Sequence, residues 1–500
     1  MSNDAVPIPS APGPAPMWGI GVAGNIFRYI RDPIRYLDRL FARYGNVASI
    51  VRGPTRIAHP GPGWAKGTLA TAKGAGIVAV TGAENNREVL TQHERYQMIA
   101  LTGRMYPTGN VPERERPLLR TMTGLFHVNG EDHRRHRRLL MPAFHKTRLE
   151  TYRDDMAQIA SEQIDRYQPG ETRDIHADMT ELTLRIATKT LFGEDEKERG
   201  LRLAQMMQRW LMSMFSPLLI VTRADLPGLP YRRFLDLTHD IDRETAAILQ
   251  DKRRRASPDA TDMLSTLLAA RDEDGSALDE DELIGHAGVI FAAGHETSTN
   301  SLAWTLFLLS QHPVIARNLE DELDSVLHGR SPRLEDLPQL PLLDAVVKES
   351  MRILPAVPFH PRIVAEDSEL AGHRLPAGSE VFLSIFHMHR DPDIFPEPAR
   401  FQPKRWETIK PSVYEYNPFS AGPRMCIGAS FATMEIKIVL ATLLQRFRME
   451  LPDGARVDPR VAITMAPRGG LKMIVRRRDA PAPAPGKVRG RVVSLVDLPS

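Results

Sequence analysis

Apolar side chains recur every three or four positions from Ile26 to Tyr44, IFRYIRDPIRYLDRLFARY, until Gly45 ends the run. That spacing predicts an amphipathic helix with one face against a core. Two short β-branched runs follow at 47–51 and 77–81, and the Gly- and Pro-rich stretch 53–76 between them is too long for a tight hairpin. Residues 98–126 mix polar and apolar positions around turn signals at Pro107, Gly109 and Pro112. Asn129-Gly130 predicts a turn, and Glu131 and Asp132 suit the start of the cation-dense helix that comes next, HRRHRRLLMPAF. From about Leu149 to Leu249 helical spacing dominates, broken near Pro169-Gly170, at Pro217 and in the LPGLP of 226–230. Glu280 to Gln311 is the longest unbroken helical pattern, ended by Pro313; at ~1.5 Å per residue it would run more than ~40 Å. Another helical run begins near Ala429.

Composition changes this picture little. With 42% hydrophobic and 25% charged residues the chain can bury a large core, and a net charge of +3 over 500 residues does not point to nucleic acid. No run reaches the ~18 consecutive apolar residues of a membrane span. The start, MSNDAVPIPSAPGPAP, lacks the charged-then-apolar order of a signal peptide, and residues 1–19 read as a flexible proline-rich lead. Residues 479–500, DAPAPAPGKVRGRVVSLVDLPS with Asp479 first, read as a flexible tail with a basic end. The single cysteine excludes an intramolecular disulfide framework and fits a reducing compartment.

That cysteine lies in YNPFSAGPRMCIGASFATME, where Phe419, Gly422, Arg424, Cys426 and Gly428 make the pattern F-x-x-G-x-R-x-C-x-G. A lone cysteine is most often an inert packed thiol; five positions filled at fixed spacing argue otherwise. One thiolate cannot build a four-ligand zinc cage, but it can be the axial ligand of a heme iron. Gly422 and Gly428 would let the backbone turn and approach a flat macrocycle, and Arg424 would pair with a propionate. The long helical run holds Ala292-Ala293-Gly294-His295-Glu296-Thr297 in its interior, where glycine costs up to ~1 kcal/mol against alanine. Small Ala293 and Gly294 leave room beside the helix, the Thr297 hydroxyl can divert a bond from the ladder and open a bulge, and His295 is expected to face away.

Together these motifs resemble those of the cytochrome P450 family, over roughly residues 20–475. The resemblance implies a mainly α fold with a small β-rich region, treated as one catalytic domain at 20–478. It implies heme b, with Cys426 as the metal ligand and His133, Arg137, Ala293, Thr297, Arg362, Phe419, Arg424 and Gly428 around the cofactor. The A-G-x-D/E-T match makes Glu296 and Thr297 a catalytic proton relay to dioxygen. His133 and Arg137 match H-x-x-x-R, and Arg362 matches a further propionate-binding position. Glu349 and Arg352 match E-x-x-R, with Arg400 as the third member of that network. Arg134, Arg135 and Arg138 are then left to face water and attract an acidic electron donor. Residues 98–126 would close over the substrate, and the methionine-rich segment from Met206 to Phe215 would border it unless it is ordinary core.

The implied reaction inserts one oxygen atom from O2 into a hydrophobic small molecule. No flavin, nicotinamide or iron–sulfur fingerprint is present, so electrons are expected from NAD(P)H through a ferredoxin or flavodoxin-type donor and its reductase. A cytoplasmic monomer without a membrane anchor is the expectation. The alternatives are oxidative coupling, rearrangement or peroxide-driven oxidation by a related heme-thiolate enzyme, and, in a different class, a heme sensor. His387, His389 and Asp391 could suggest a metal site, but structural histidines fit the local pattern better.

Overall fold

The computed structural model describes residues 10–18, 21, 23–52, 76–98, 112–121, 124–193, 197–214, 224–255, 260–479 and 486–499. Nearly all of the 53–76 connector and much of 98–126 lie outside these residues.

The first helical run is two helices, Ala23–Arg31 and Pro33–Tyr44. Pro33 has no N–H to give the preceding turn, so the helix restarts there, and the Asp32 carboxylate accepts from the Arg35 N–H at 3.3 Å to cap the second segment. Helices Lys146–Ile164, Ile175–Phe192, Lys197–Met214 and Pro230–Arg254 fill the expected helical stretch. The long helix runs Glu280–Gln311, as its pattern predicts, and opens on a capping box in which Asp279 and Glu282 satisfy each other's backbone N–H. From Leu302 to Leu309 every residue is buried, which explains the unbroken apolar pattern there. It packs against Ile175–Phe192, Pro341–Ile353 and Ala429–Leu444, and this helix-on-helix layer is the main core.

The β-rich part is a five-stranded sheet in the spatial order Val47–Val51, Ile77–Val80, Glu380–Ser384, Phe359–Val364, Tyr96–Gln97. Within it only Ile77–Val80 and Glu380–Ser384 run parallel, with Val78 opposite Val381 and Val80 opposite Leu383. The first three strands are buried at every position, so they read as apolar runs without alternation. A mainly helical chain with small sheets is thus the observed class.

Both ends depart from expectation. In the lead, the Ser49 N–H donates to the Pro12 carbonyl at 2.6 Å and the Ser49 hydroxyl to that of Ala11 at 3.0 Å, holding residues 11–13 against the first strand. In the tail, Val492 and Val496 are fully buried, the Arg489 N–H reaches the Ala455 carbonyl at 2.9 Å and the Asp497 N–H reaches that of Ala399 at 2.8 Å. The Ala-Pro repeat dominates the tail's composition, whereas its valines four apart supply the anchoring. Val492→Ala should therefore lower the unfolding free energy by about 2 kcal/mol, read as a lower urea midpoint with unchanged slope.

Candidate functional site

The cysteine loop is held by backbone geometry. Gly422 sits at φ +69, and a Cβ there would stand 2.5 Å from the Leu90 carbonyl oxygen, so only glycine fits. Ser420, at φ 61, is a non-glycine residue in the left-handed region two positions earlier, a strained conformation that its surroundings must hold. The Cys426 N–H closes the loop by donating to the Phe419 carbonyl at 2.9 Å, while Phe419 packs against the core. Gly428 is not the turn glycine expected. Its φ is −90, and it occupies the cap position of helix Ala429–Leu444 with its N–H bonded to the Cys426 sulfur. A Cβ on Gly428 would lie 3.9 Å from that sulfur. The Cys426 side chain is solvent-accessible, with the Arg137 guanidinium and the Gly428 N–H close to its sulfur. Burial pushes the thiol pKa up, and the Gly428 N–H and the Arg137 guanidinium oppose that rise.

Four basic groups stand around this loop. Arg137 donates to the Met425 carbonyl at 2.7 Å. Arg424 donates to the carbonyls of Leu125 at 3.3 Å and Val128 at 2.7 Å and to the Asn129 side chain at 2.5 Å, and its Nε has no partner. Arg362, on strand Phe359–Val364, is buried and bonds the neighbouring Pro361 carbonyl. His133 is buried with Nδ1 unpartnered. Burial lowers the pKa of Arg362 to about 10. It lowers that of Arg424 to about 9, with Arg362 and Arg137 adding repulsion, and that of His133 to about 3, with Arg424 and Arg137 adding to it. Among the described residues no carboxylate pairs with any of the four. Arg362 is buried and Arg137 and Arg424 are half-buried, and cations so placed that repel one another are costly without an anion. A cofactor carrying carboxylates beside an exposed cysteine sulfur fits this set.

The long helix supplies the other motif. Ala292, Ala293, Gly294, Glu296 and Thr297 are half-buried although the helix around them is packed, and a Cβ on Gly294 would meet nothing within 4 Å. Open space beside a mid-helix glycine is the room that a flat cofactor needs. Thr297 Oγ1 donates to the Ala293 carbonyl at 2.7 Å, but the helix stays α throughout and the expected bulge is absent. Back-bonding uses the threonine proton without breaking the ladder. Glu296 accepts from the Thr464 hydroxyl at 2.7 Å, a partner from the turn between strands Pro459–Val461 and Met465–Pro467. Sequence spacing gave no sign of Thr464, because 168 residues separate the two. His295 is buried on the far face, stacked on Phe291. Next to the relay, Ser298 donates to Glu435 of the cysteine helix at 2.5 Å, and burial raises the Glu435 pKa to about 8.

The supporting charges correct two expectations. Glu349 Oε1 accepts from Arg352 at 2.9 Å, from Arg405 at 2.8 Å and from the Gln402 N–H at 2.9 Å, and Oε2 accepts from Arg352 at 2.9 Å and Trp406 at 3.1 Å. The third member is thus Arg405. Arg400 points outward to Glu397 and lends only its carbonyl to Arg352 and Arg405. The arginines assigned to donor attraction are neutralised: Arg134 pairs with Glu131 at 2.7 Å and Glu94 at 3.2 Å, Arg135 with Glu282 at 2.8 Å, and Arg138 with Asp272 at 2.9 Å. His389 accepts from the Asn417 N–H, and His387 lies between Ser384 and Asp38. Among the described residues no histidine, cysteine or acid cluster could hold a metal ion. Met207 and Trp210 are core, Met212 is exposed, and Phe215 lies outside the described residues.

Residues 77–472 match the family model described as Cytochrome P450. The "Cyclooctat-9-en-7-ol 5-monooxygenase" of Streptomyces melanosporofaciens is 30% identical over 457 residues, 89% of this chain and 90% of that one. The "Pentalenene oxygenase" of Streptomyces avermitilis is 31% identical, over 92% of this chain and 95% of its own. A solved structure, "Retinoic acid bound cyanobacterial CYP120A1", shares the fold with a TM-score of 0.74 at 24% identity, covering 94% of this chain and 100% of that chain. Fold and likeness together define a heme-thiolate oxygenase. This chain belongs to the cytochrome P450 family and is a monooxygenase of bacterial type, which sets the sensor alternative aside.

Two outcomes follow from the geometry. Arg405→Ala should destabilise by about 3–5 kcal/mol, because it strips a buried carboxylate, whereas Arg400→Ala should cost less than about 1 kcal/mol; urea unfolding compares them. Glu435 keeps in the folded state a proton that the unfolded chain releases above about pH 4.3, so stability falls as pH rises toward 8, by up to ~1.4 kcal/mol per unit. Glu435→Gln should remove that slope between pH 5 and 8, and should match wild type best at the acidic end.

Proposed function

We propose that Cys426 is the proximal ligand of a heme b whose propionates are met by His133, Arg137, Arg362 and Arg424, with Ala293, Phe419 and Gly428 lining the cofactor. When bound, the heme supplies a redox iron at which dioxygen is reduced and one of its oxygen atoms passed to substrate. The observation that carries the reading is the set of buried and half-buried basic groups that have no carboxylate partner among the described residues, beside an accessible thiol.

The chain's own residues then do three things. The Gly428 N–H and the start of helix Ala429–Leu444 favour thiolate over thiol. The basic groups orient the cofactor through its carboxylates. Glu296 and Thr297 move protons. The Thr297 proton goes to the Ala293 carbonyl, which leaves its oxygen to accept, and Thr464 fixes one Glu296 oxygen while the other receives and passes a proton. Electrons come from NAD(P)H through a ferredoxin or flavodoxin-type donor with its reductase, to a cytoplasmic monomer. With the charges of Arg134, Arg135 and Arg138 offset, apolar contact at the exposed Met425 beside Cys426 is the better docking feature for that donor. The substrate is a hydrophobic small molecule, and the alkenol and alkene named for the Streptomyces relatives are the first compounds to try.

The ferrous carbon monoxide difference spectrum tests the ligand. Wild type should show a red-shifted Soret band that Cys426→Ser loses; an unshifted band in folded, heme-loaded wild type overturns the assignment. For the relay, Glu296→Gln should slow product formation by about 10² or more. Thr464→Val should lower the product formed per electron donor consumed about fivefold, and Thr464→Ser should restore it.

A further inference from the structure

The outer side of the first two helices carries charge and apolar surface that the described residues leave unused. Arg28, Arg31, Arg35, Arg39 and Arg43 are all exposed, and among the described residues none of them pairs with a carboxylate; Arg39 reaches only the Arg35 carbonyl, and Arg43 stacks on Tyr44. The two acids of the stretch are engaged elsewhere, Asp32 with Arg491 at 3.1 Å and Asp38 with His387 at 3.0 Å. Phe27 and Ile30, three apart on helix Ala23–Arg31, are 67% and 65% exposed. Immediately before them, the turn closed by reciprocal Met17 and Gly21 backbone bonds presents Trp18 at 101% exposure. The orientation is fixed from behind, because Tyr29 packs on Phe359 and Phe382 of the five-stranded sheet.

Large apolar side chains beside unpaired arginines match the interfacial layer of a bilayer bearing negative headgroups. Rings and aliphatic chains enter the headgroup–acyl boundary while guanidinium groups stay with the phosphates. An acidic protein would satisfy the arginines but give Trp18, Phe27 and Ile30 no reason to be apolar. We propose that this face binds reversibly to the surface of an anionic phospholipid bilayer. It lies on the membrane without spanning it: no helix among the described residues is long and apolar enough to cross.

The test is co-sedimentation of the full chain with vesicles of phosphatidylglycerol and phosphatidylcholine, against phosphatidylcholine alone, at low and physiological salt. Binding should require the anionic lipid and weaken with salt. Each of Arg28→Gln, Arg31→Gln, Arg35→Gln and Arg39→Gln should lower it by about fivefold. Phe27→Ser with Ile30→Ser should lower it by about tenfold or more. Acrylamide quenching, taken as the difference from Trp18→Phe, should show Trp18 shielded on vesicles. Absence of binding to anionic vesicles overturns the proposal. So does binding that responds to the arginine variants but not to Phe27→Ser with Ile30→Ser, with Trp18 still open to quencher; that result would reduce the contact to electrostatic attraction with no apolar face entering the bilayer.

Discussion

A single fully buried carboxylate, that of Glu349, joins the parts from which the cysteine loop is hung. It sits on helix Pro341–Ile353 and gathers five donors, two of Arg352 and one each of Arg405, Gln402 and Trp406. Taking such a charge out of water is tolerable only when its lone pairs are filled, so segment 402–406 has little freedom to sit anywhere else. The same region takes hold of the loop a few residues on. The Tyr416 hydroxyl donates to the Lys348 carbonyl at 2.9 Å, and the Asn417 N–H donates to His389 at 3.0 Å. From there the loop runs to Phe419 and closes on Cys426. The position of one sulfur thus rests on an anion many residues away in sequence.

Charge compensation sorts the arginines around the cysteine loop and its supports into three kinds. Those around Glu349 are saturated and structural. Those of the outer face of helix Gly130–Leu140 are paired with acids, Glu131 of the same helix and Glu94, Glu282 and Asp272 from elsewhere, so their long-range field is weak. Arg362 is buried and Arg137 and Arg424 half-buried, among the described residues none has a carboxylate partner, and burial lowers the pKa of all three, the state that a nearby anion would relieve. Type and spacing alone do not separate the three kinds; the surroundings do.

How much of this was legible in the chain varies with the range of the interaction responsible. The long helix is legible to its end residues because its pattern and Pro313 are local. The cysteine motif was likewise local, and Gly422 has the tight turn that its type suggests. Where distant segments decide, the chain alone does not show the partner: Arg405 in place of Arg400 at Glu349, Thr464 at Glu296, and Glu94, Glu282 and Asp272 at the basic helix all come from elsewhere in the chain. The break at Pro33 was local and readable, yet the strong apolar period across it masked the proline. The docked tail was missed for a different reason, since an average over an Ala-Pro repeat hides two valines that find a pocket.

The docked tail also decides where anything joined to the last residue would begin. Asp497 is bonded to Ala399, inside the segment that packs on Glu349 and leads toward the cysteine loop. A redox domain fused there would start from a fixed point instead of the end of a loose tether. Its linker would need to reach only from that point to the surface near Met425, and its length would set the effective concentration of the electron donor at the iron.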